Sequence, residues 1–285
     1  MFQNYFKLAW RNLKRNRSYA AINIAGLSLG IACSILIFAL ISYHLSFDRF
    51  HHNKDRVFRM VTEWHDFEVN YSGAVPSPLG KEVRNAYSFA EKTARVINYE
   101  GVLISTRDNG TLKKFEEEKG VAYAEPSFFD ILNFPLVEGN KATVLKDPNS
   151  AIITEKMAKK YFGKSDPLGK IITVDNKSNF TVTGILKDIP ANTDLRQEIY
   201  LSYQNLKDKQ AFLASDSSWG GVYSGSQCYT LLKPGVTVAE ANRQLQSIIP
   251  KYFTGRDLKV WKFKLQPLQD IHFNIDYGAD VNKKY

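Results

Sequence analysis

The feature that most constrains this chain is a long run without a formal charge. No Asp, Glu, Lys or Arg occurs between Ser18 and Phe47. Its centre, INIAGLSLGIACSILIFALISY, has about the 20 apolar residues that an α-helix needs to cross roughly 30 Å of hydrocarbon. A cleavable signal peptide would have a shorter apolar region and a small-residue cleavage pattern, which SYHLSFDRF lacks. The sequence therefore predicts a transmembrane helix over residues 18–44.

A cluster of basic residues directly before this run predicts its orientation. The chain has 38 Lys and Arg residues, and five of them fall in the first 17 positions, where no acidic residue occurs. The rest of the chain is nearly balanced, so the cluster indicates a membrane flank and argues against nucleic acid as a partner. We expect residues 1–17 in the cytoplasm and everything after Tyr43 in the periplasm. The basic residues are Lys7, Arg11, Lys14, Arg15 and Arg17.

Apolar residues interrupt the basic flank at a spacing typical of an amphipathic helix. Such a helix would lie on the cytoplasmic leaflet, and the alternative is a solvated basic segment. Small residues also recur every four positions within the apolar run, a spacing that lets another helix approach closely, although it is common in apolar segments by chance. The apolar flank residues are Phe6, Leu8, Trp10 and Leu13, and the small residues are Gly26, Gly30 and Ser34.

Residues 45–285 are predicted to form a soluble α+β domain. A mean hydropathy of −0.30 and a charged fraction of 24% exclude a polytopic membrane protein for the chain as it stands. Strand-like segments such as RVFRMVTEW alternate with helix-like ones such as TEKMAKKYFG, which ends at Gly163, and TVAEANRQLQSIIPKYF reads as one amphipathic helix. Hairpins are predicted at Asn109-Gly110 and between Asn176 and Asn179. Separate helices and hairpins favour α+β over a doubly wound sheet.

No motif points to catalysis, a cofactor or a metal ion. The stretch GKSDPLGK has five residues between its glycines where a phosphate-binding loop needs four, so it indicates a helix end and a turn. Asp48, His51 and His52 lack metal-ligand spacing, and we expect them to be exposed polar residues. His65 and His272 are isolated in the sequence. We therefore expect that the chain is not an enzyme.

The sequence closely resembles one family of membrane proteins. NYFKLAWRNLKRNRSYAAINIAGLSLGIACSILI, followed by YHLSFDRFHHNKDRVFRM, is similar to the N-terminus of MacB/FtsX-like ABC transporter permeases, especially of the Bacteroidetes type. His44 stands where that branch usually has an acid. The likeness continues through EPSFFDILNFPLVEGN, NSAIITEKMAKKYFGKSDPLGKII, FTVTGILKDIPANTDLR and CYTLLKPGVTVAEANRQL. These segments resemble successive landmarks of the MacB periplasmic core domain.

The resemblance implies a permease subunit of the inner membrane. Its periplasmic domain would have a porter-like βαβ part, at about residues 45–100 and 227–285, and an inserted subdomain at about 101–226. In that family a separate cytoplasmic ATPase moves the helices, and the motion reshapes the periplasmic domain, which is called mechanotransmission. Further implied partners are a second permease copy or further C-terminal helices, and a periplasmic adaptor. Since the family would enter its second transmembrane helix near Tyr285, we expect a fragment, a truncated product or half of a split protein.

The residues after the apolar run are expected to form a stalk. Its aromatic residues would pack against a second helix, and its charged residues would fix the register by ion pairs, although surface pairs contribute only about 0–1 kcal/mol each. The alternative is a single-pass, membrane-anchored periplasmic binding or sensor module, which would have a ligand pocket. No residue selects a substrate. The stalk residues are Phe47, Asp48, Arg49, Phe50, Arg56 and Phe58.

Overall fold

The structure, a computed structural model, describes residues 2–108 and 111–278. The chain divides into two compact units, Met1–Ser46 and Phe47–Tyr285. The predicted turn at Asn109-Gly110 lies outside the described residues, although the two strands that flank it pair with each other.

The first unit consists of two helices. Helix α1 (Phe2–Arg15) carries Lys14 and Arg15 in its last turn, where positive charge interacts favourably with the negative end of the helix dipole. Helix α2 (Arg17–Leu45) has 29 residues, none of them buried. Among the described residues it is the one helix long and apolar enough to span a membrane. The predicted apolar helix is therefore present.

The second unit is built on one mixed sheet, in which the described residues contribute 13 strands. The strands are β1 (Val57–His65), β2 (Val69–Ser72), β3 (Ala90–Tyr99), β4 (Val102–Asp108), β5 (Thr111–Glu117), β6 (Val121–Ala124), β7 (Leu136–Gly139), β8 (Ser150–Thr154), β9 (Ile171–Val174), β10 (Ser178–Leu186), β11 (Ile199–Ser202), β12 (Ser226–Leu232) and β13 (Trp261–Pro267). Their order is β13-β1-β12-β3-β6-β11-β8-β10-β9-β4-β5, with β2 beside β1 and β7 beside β10.

Short helices connect many of these strands. They are α3 (Leu79–Ala86), α4 (Phe128–Ile131), α5 (Glu155–Phe162), α6 (Leu206–Lys209), α7 (Val238–Gln246), α8 (Ile249–Tyr252) and α9 (Asp257–Val260), with 3₁₀ turns at Lys54–Arg56, Tyr203–Asn205 and Leu268–Asp270. Two of the longer helices begin at a threonine cap. The hydroxyl of Thr154 accepts a hydrogen bond from the N–H of Met157 at 3.3 Å, and that of Thr237 accepts one from the N–H of Glu240 at 3.2 Å.

The four strands β13-β1-β12-β3 form two interlocked βαβ units. Strand β1 is antiparallel to both β12 and β13, and β3 is antiparallel to β12. Consequently β1 and β3 run parallel, with α3 between them in the chain, and β12 and β13 run parallel, with α7 between them. This is the split βαβ arrangement of ferredoxin-like folds. The predicted α+β class with a βαβ part is confirmed.

The strands from residues 102–202 occupy the other end of the same sheet. Strand β6 joins the two ends because it pairs with β3 on one side and β11 on the other. The β9–β10 hairpin is confirmed, and Asp175 and Asn176 in its turn have φ of 51° and 55°. The exact division into a porter-like part and an inserted subdomain stays a prediction, because one continuous sheet contains both.

Three clusters of buried apolar side chains form the core. One lies with the βαβ end of the sheet, one with the opposite end, and the third is rich in aromatic rings near the middle. In the third, Phe128 lies 5.4 Å from Tyr200 and 5.8 Å from Tyr229 between ring centroids. These rings come from α4, β11 and β12, so the cluster links helix α4 to both ends of the sheet.

Of two local predictions, one is confirmed and one is wrong. Gly163 does end α5, with φ of 63°. The segment 237–253, however, is not one helix, because α7 ends at Gln246 and α8 begins at Ile249. Pro250 has no N–H and its ring would clash with the carbonyl of Gln246 in a continuous helix, which explains the break.

Candidate functional site

The residues that follow α2 fold into irregular turns before the first strand. We call residues 47–56 the junction segment, because they connect the apolar helix to β1 without a gap in the chain. Asp48 adopts φ of 55°, a left-handed conformation that Asp tolerates better than most residues. The segment is held by contacts to three distant parts of the same unit, near residues 133, 193 and 272.

The carboxylate of Asp48 is buried and hydrogen-bonded. It accepts a hydrogen bond from the hydroxyl of Thr193, and the backbone N–H of Asp48 donates to the carbonyl of Asn192 at 3.0 Å. Thr193 Oγ1 also accepts from the N–H of Leu195 at 3.1 Å, which fixes the direction of the hydroxyl. Burial raises the pKa of Asp48 to about 6, although hydrogen bonds from Thr193 and the N–H of Asp194 act in the opposite direction.

His51 is buried beside Asp48 and makes the second contact. Its Nδ1 accepts a hydrogen bond from the N–H of Asn133 at 3.0 Å, and Asn133 Oδ1 accepts one from the N–H of His52 at 3.0 Å. Burial lowers the pKa of His51 to about 4, with a smaller contribution from His52. The neutral ring therefore carries its proton on Nε2, which lies 3.8 Å from Asp48 Oδ1, too far for a hydrogen bond.

An aromatic stack makes the third contact. The ring of Phe47 lies 3.5 Å from that of His272 between centroids, with an interplanar angle of 20°. His272 Nδ1 in turn lies 3.0 Å from Asp194 Oδ2. Asp194 thus contacts both sides of the junction, through its backbone N–H to Asp48 and through its carboxylate to His272. The three contacts together tie the first five residues of the unit to its body.

The structure corrects one expectation about this segment. Asp48 and His51 were expected to be exposed, yet each is only 1% exposed. The reason is that residues 132–134 and 192–194 cover them, and those residues are far away in the sequence. Among the residues 2–108 and 111–278, no group of three or more His, Cys, Asp and Glu could hold a metal ion.

The other predicted stalk residues have different surroundings. Phe58 is enclosed in the core of the βαβ end, and Phe50 is half-buried with its ring 6.0 Å from that of Phe134. Arg56 Nη1 donates to Glu91 Oε2 at 2.8 Å. Arg56 also donates to the carbonyl of Leu232 at 2.7 Å and to Asn53 Oδ1 at 3.2 Å, whereas Arg49 is exposed. Packing of the stalk against a second transmembrane helix stays a prediction, for which Phe58 offers almost no surface.

Four residues of the junction contacts were not assigned a role from the sequence. Three of them lie in the segments FDILNF and PANTD, which carried the family resemblance without any indication of their function. The fourth follows the last strand. The structure shows that these segments meet at the junction, which gives them a shared physical role. The residues are Asn133, Thr193, Asp194 and His272.

In the first unit, the predicted small residues lie on one face of α2. They line a shallow apolar groove of about 500 Å³ together with larger apolar side chains. Ser34 Oγ donates to the carbonyl of Gly30 at 2.8 Å, so its polar group is satisfied within the helix. The basic flank forms α1, as the amphipathic pattern predicts, and Lys14 Nζ lies 5.6 Å from the ring centroid of Trp10. Contacts of either helix with a lipid or a second helix stay predictions.

A charged cleft of about 440 Å³ lies elsewhere in the second unit. Its charged walls come from α3, β3, the residue after β6, and the loop of residues 210–225. The central guanidinium belongs to Arg95, which is paired with Glu125 and with Asp216. Sequence reasoning did not identify this cleft, because its residues are spread over more than 130 positions.

The described residues thus comprise one helix long and apolar enough to span a membrane and an α+β unit with a split βαβ part. Residues 20–248 match the family model of the MacB-like periplasmic core domain. Because the match covers most of the chain, the chain belongs to this family. A comparison with curated protein sequences finds no match.

Two solved structures with TM-scores above 0.5 share this fold. A domain of a protein classed as a permease, from Porphyromonas gingivalis, is 21% identical and superposes with a TM-score of 0.62, covering 76% of this chain and 92% of that one. The periplasmic region of MacB from Actinobacillus actinomycetemcomitans is 16% identical, with a TM-score of 0.53 over 76% of this chain and 90% of that one. The extracellular domain of the noncanonic ABC-type transporter YknZ from Gram-positive bacteria is 15% identical, with a TM-score of 0.48 over 74% of this chain and 99% of that one.

Proposed function

We propose that this chain is part of a permease subunit of an ABC-type complex in the inner membrane, and that it couples a separate cytoplasmic ATPase to conformational change in the periplasm. The observation that carries the proposal is the junction segment. It follows α2 directly and is bound to the domain through buried contacts of Phe47, Asp48 and His51. A displacement of α2 along or about its axis would therefore pull on the domain at these contacts.

The contacts suit the transmission of force because the atoms involved lie close together in space and the junction residues follow the helix end directly in the sequence. Ser46 ends α2 as its cap, and Phe47 is already stacked against His272. The first anchored residue of the domain thus follows the helix cap directly in the sequence. In this proposal the N-terminus and α1 lie in the cytoplasm. Helix α1 directly precedes α2 in the sequence and would contact the ATPase there.

Orientation is tested by labelling single cysteines in a Cys33→Ser background. Phe67 is 95% exposed, so a Phe67→Cys variant should react with a membrane-impermeant maleimide added to spheroplasts. A Lys7→Cys variant should react only after the cells are lysed. Labelling of Lys7→Cys in intact spheroplasts would contradict the proposed topology. Cys228 is buried and serves as an internal control that should stay unlabelled in both variants.

Coupling to an ATPase is tested by photo-crosslinking in whole cells. A photoreactive residue at Arg11, on the exposed face of α1, should capture an ATP-binding subunit, which mass spectrometry would identify. The same residue at Phe67 serves as the control and should not capture it. If both positions give the same products, or if Arg11 captures no ATP-binding protein, the proposed partner is wrong.

A single-pass binding or sensor module is the second candidate function. The observation that favours it is the charged cleft around Arg95, since such a module needs a ligand site. The two candidates differ in the result of the Arg11 crosslink, because a sensor needs no ATP-binding subunit at its cytoplasmic flank.

A further inference from the structure

The cleft around Arg95 combines a cavity of ordinary ligand size with converging charged groups. Its volume of about 440 Å³ lies within the range of small-molecule sites. Four cationic side chains stand in or beside it against two carboxylates, so the cleft carries an excess of positive charge. The cations are Lys81, Arg84, Arg95 and Lys207, and the carboxylates are Glu125 and Asp216.

Each carboxylate oxygen of Glu125 accepts two hydrogen bonds from within the protein. Its Oε1 accepts from Nε and Nη2 of Arg95 at 3.0 and 2.9 Å, and its Oε2 accepts from the backbone N–H of Arg95 at 2.9 Å and from Nη2 of Arg84 at 2.6 Å. The side chains of Glu125 and Arg95 are only 9% and 12% exposed. The pair is therefore a structural element, since removing either partner would leave a largely buried charge without its main partner.

Asp216 differs from Glu125 in being half exposed and in lying on a loop. Its Oδ2 accepts from Nζ of Lys81 at 2.5 Å, and its Oδ1 accepts from Nη1 of Arg95 at 3.1 Å. Partial burial raises its pKa, but the hydrogen bonds from Lys81 and Arg95 outweigh that effect and lower the pKa of Asp216 below its usual value. One carboxylate thus bridges an ammonium and a guanidinium at the mouth of the cavity.

The remaining wall of the cleft combines apolar side chains with neutral polar ones, which are Ser127, Ser202 and Gln204. The ring of Tyr203 lies 4.5 Å from the guanidinium carbon of Arg95, and Leu145 and Ala214 also line the cavity. Leu145 has φ of 57°, a conformation that costs energy for a bulky residue and that is found preferentially at functional sites. Leu145 is fully buried, so a ligand that fills this cavity would place an apolar body against Tyr203 and Ala214.

From this geometry we propose that the cleft binds a carboxylate carried on an apolar body, such as the C-terminus of a short apolar peptide. Asp216 occupies the carboxylate position in the absence of that ligand and must leave when the ligand binds. The ligand carboxylate would accept the same hydrogen bonds, from Lys81 and Arg95. Lys207 adds a positive charge that favours the anion over a neutral analogue.

Displacement of Asp216 would loosen the loop of residues 210–225. Besides Asp216, that loop is held at the cleft by the hydroxyl of Tyr203, which donates to the carbonyl of Leu213 at 3.3 Å. Trp219 in the same loop stacks on Tyr252 at 3.9 Å between ring centroids. Occupancy of the cleft would thus be converted into a change of loop order. This site is separate from the junction segment, so it does not depend on the coupling function.

The experiment measures binding of one probe to the full chain in lipid nanodiscs by calorimetry. The probe is N-acetyl-Phe-Ala with a free C-terminal carboxylate, and its C-terminal amide is the uncharged control. If Asp216 occupies the site nine-tenths of the time or more, the Asp216→Asn variant should bind the acid at least about tenfold more tightly than the wild type. The matched control is Asp208→Asn, an equal change of charge at an exposed position near the same loop.

The proposal predicts that Asp216→Asn and Asp216→Ala bind the acid more tightly than the wild type, and that Asp208→Asn binds it with unchanged affinity. It also predicts that the amide binds at least about tenfold more weakly than the acid. Equal affinities of Asp216→Asn and Asp208→Asn would overturn it. Binding of acid and amide with the same affinity, or no binding of the acid to Asp216→Asn at millimolar concentration, would overturn it as well. Addition of the acid to the wild type should also increase hydrogen exchange of residues 210–225, and unchanged exchange would refute the role of Asp216.

Discussion

Asp48 and His51 are neighbouring buried groups whose pKa values are shifted in opposite directions, upward for Asp48 and downward for His51. Replacing His51 by Gln, or Asp48 by Asn, removes one of the two. Both replacements keep a polar side chain of similar size, which can preserve the hydrogen bond from the N–H of Asn133 or from the hydroxyl of Thr193. Each variant therefore keeps one of these two buried groups, Asp48 in His51→Gln and His51 in Asp48→Asn. The slope of stability against pH then reports whether that group is buried as the structure shows.

In the His51→Gln variant, Asp48 is the group that remains. Its pKa is 3.8 in the unfolded chain and about 6 in the folded protein, so the folded state binds more protons between these pH values. The free energy of unfolding should therefore fall as the pH rises from about 4 to 6, by roughly 3 kcal/mol, because one pKa unit corresponds to about 1.4 kcal/mol.

In the Asp48→Asn variant, His51 remains and the sign is reversed. Its pKa is 6.5 in the unfolded chain and about 4 in the folded protein, so the folded state binds fewer protons in this range. The free energy of unfolding should rise with pH between about 4 and 6.5, again by roughly 3 kcal/mol. In the wild type the two trends oppose each other and largely cancel.

The assay is urea unfolding of the full chain in detergent micelles, followed by tryptophan fluorescence between pH 4 and pH 7. The Asp48→Asn/His51→Gln double variant supplies the background from all other groups. Relative to it, the single variants should show slopes of opposite sign. Slopes equal to that of the double variant in both cases would refute the burial of Asp48 and His51 and, with it, the anchored junction.

Two further substitution pairs test the packing of the domain. Gly139 has φ of 101°, and an added Cβ would lie 2.6 Å from the carbonyl oxygen of Thr183. Gly139→Ala should therefore lower the free energy of unfolding by about 3 kcal/mol or more. Gly235 has φ of 83° but open space around it, so Gly235→Ala should lower the free energy of unfolding by about 1 kcal/mol. Phe128→Ala removes a ring that is 1% exposed and should cost about 3–5 kcal/mol, while Phe67→Ala at a 95% exposed position should change stability by less than about 0.5 kcal/mol. Urea unfolding measures all four, and equal losses within either pair would contradict the packing described.

Local patterns were sufficient to predict much of the fold. The strand predicted for RVFRMVTEW corresponds to β1, the hairpin predicted to turn between Asn176 and Asn179 is that of β9 and β10, and Gly163 ends α5 as expected. These features depend on neighbours within a few positions. The single helix expected over 237–253 is wrong for a local reason too, since Pro250 lies within that segment and interrupts the helix.

The junction could not be predicted because its contacts are long-range. Asp48 and Thr193 are 145 positions apart, and His51 and Asn133 are 82 positions apart. A run such as SFDRFHH is polar, and its composition alone indicates exposure. Only the topology of the sheet, which brings the ends of several connections to one place, shows that these polar groups are buried together.

The cleft around Arg95 escaped prediction for the same reason. Its residues come from α3, β3 and two connections, and each basic residue on its own is typical of a solvated surface. The pairing of Arg95 with Glu125 depends on the register of β3 against β6, which places residue 95 beside the residue that follows Ala124. That register could not be read from either strand alone.

We propose that ATP-driven motion of α2 reaches the periplasmic domain through the junction segment. The most direct measurement is hydrogen exchange of residues 47–56 and 191–195 in the permease reconstituted with its ATPase, with and without ATP. The account predicts that ATP changes exchange in both segments, that Thr193→Ser keeps the change, and that Thr193→Val loses it while ATP hydrolysis continues. Exchange that is the same with and without ATP in the wild type would contradict the claim.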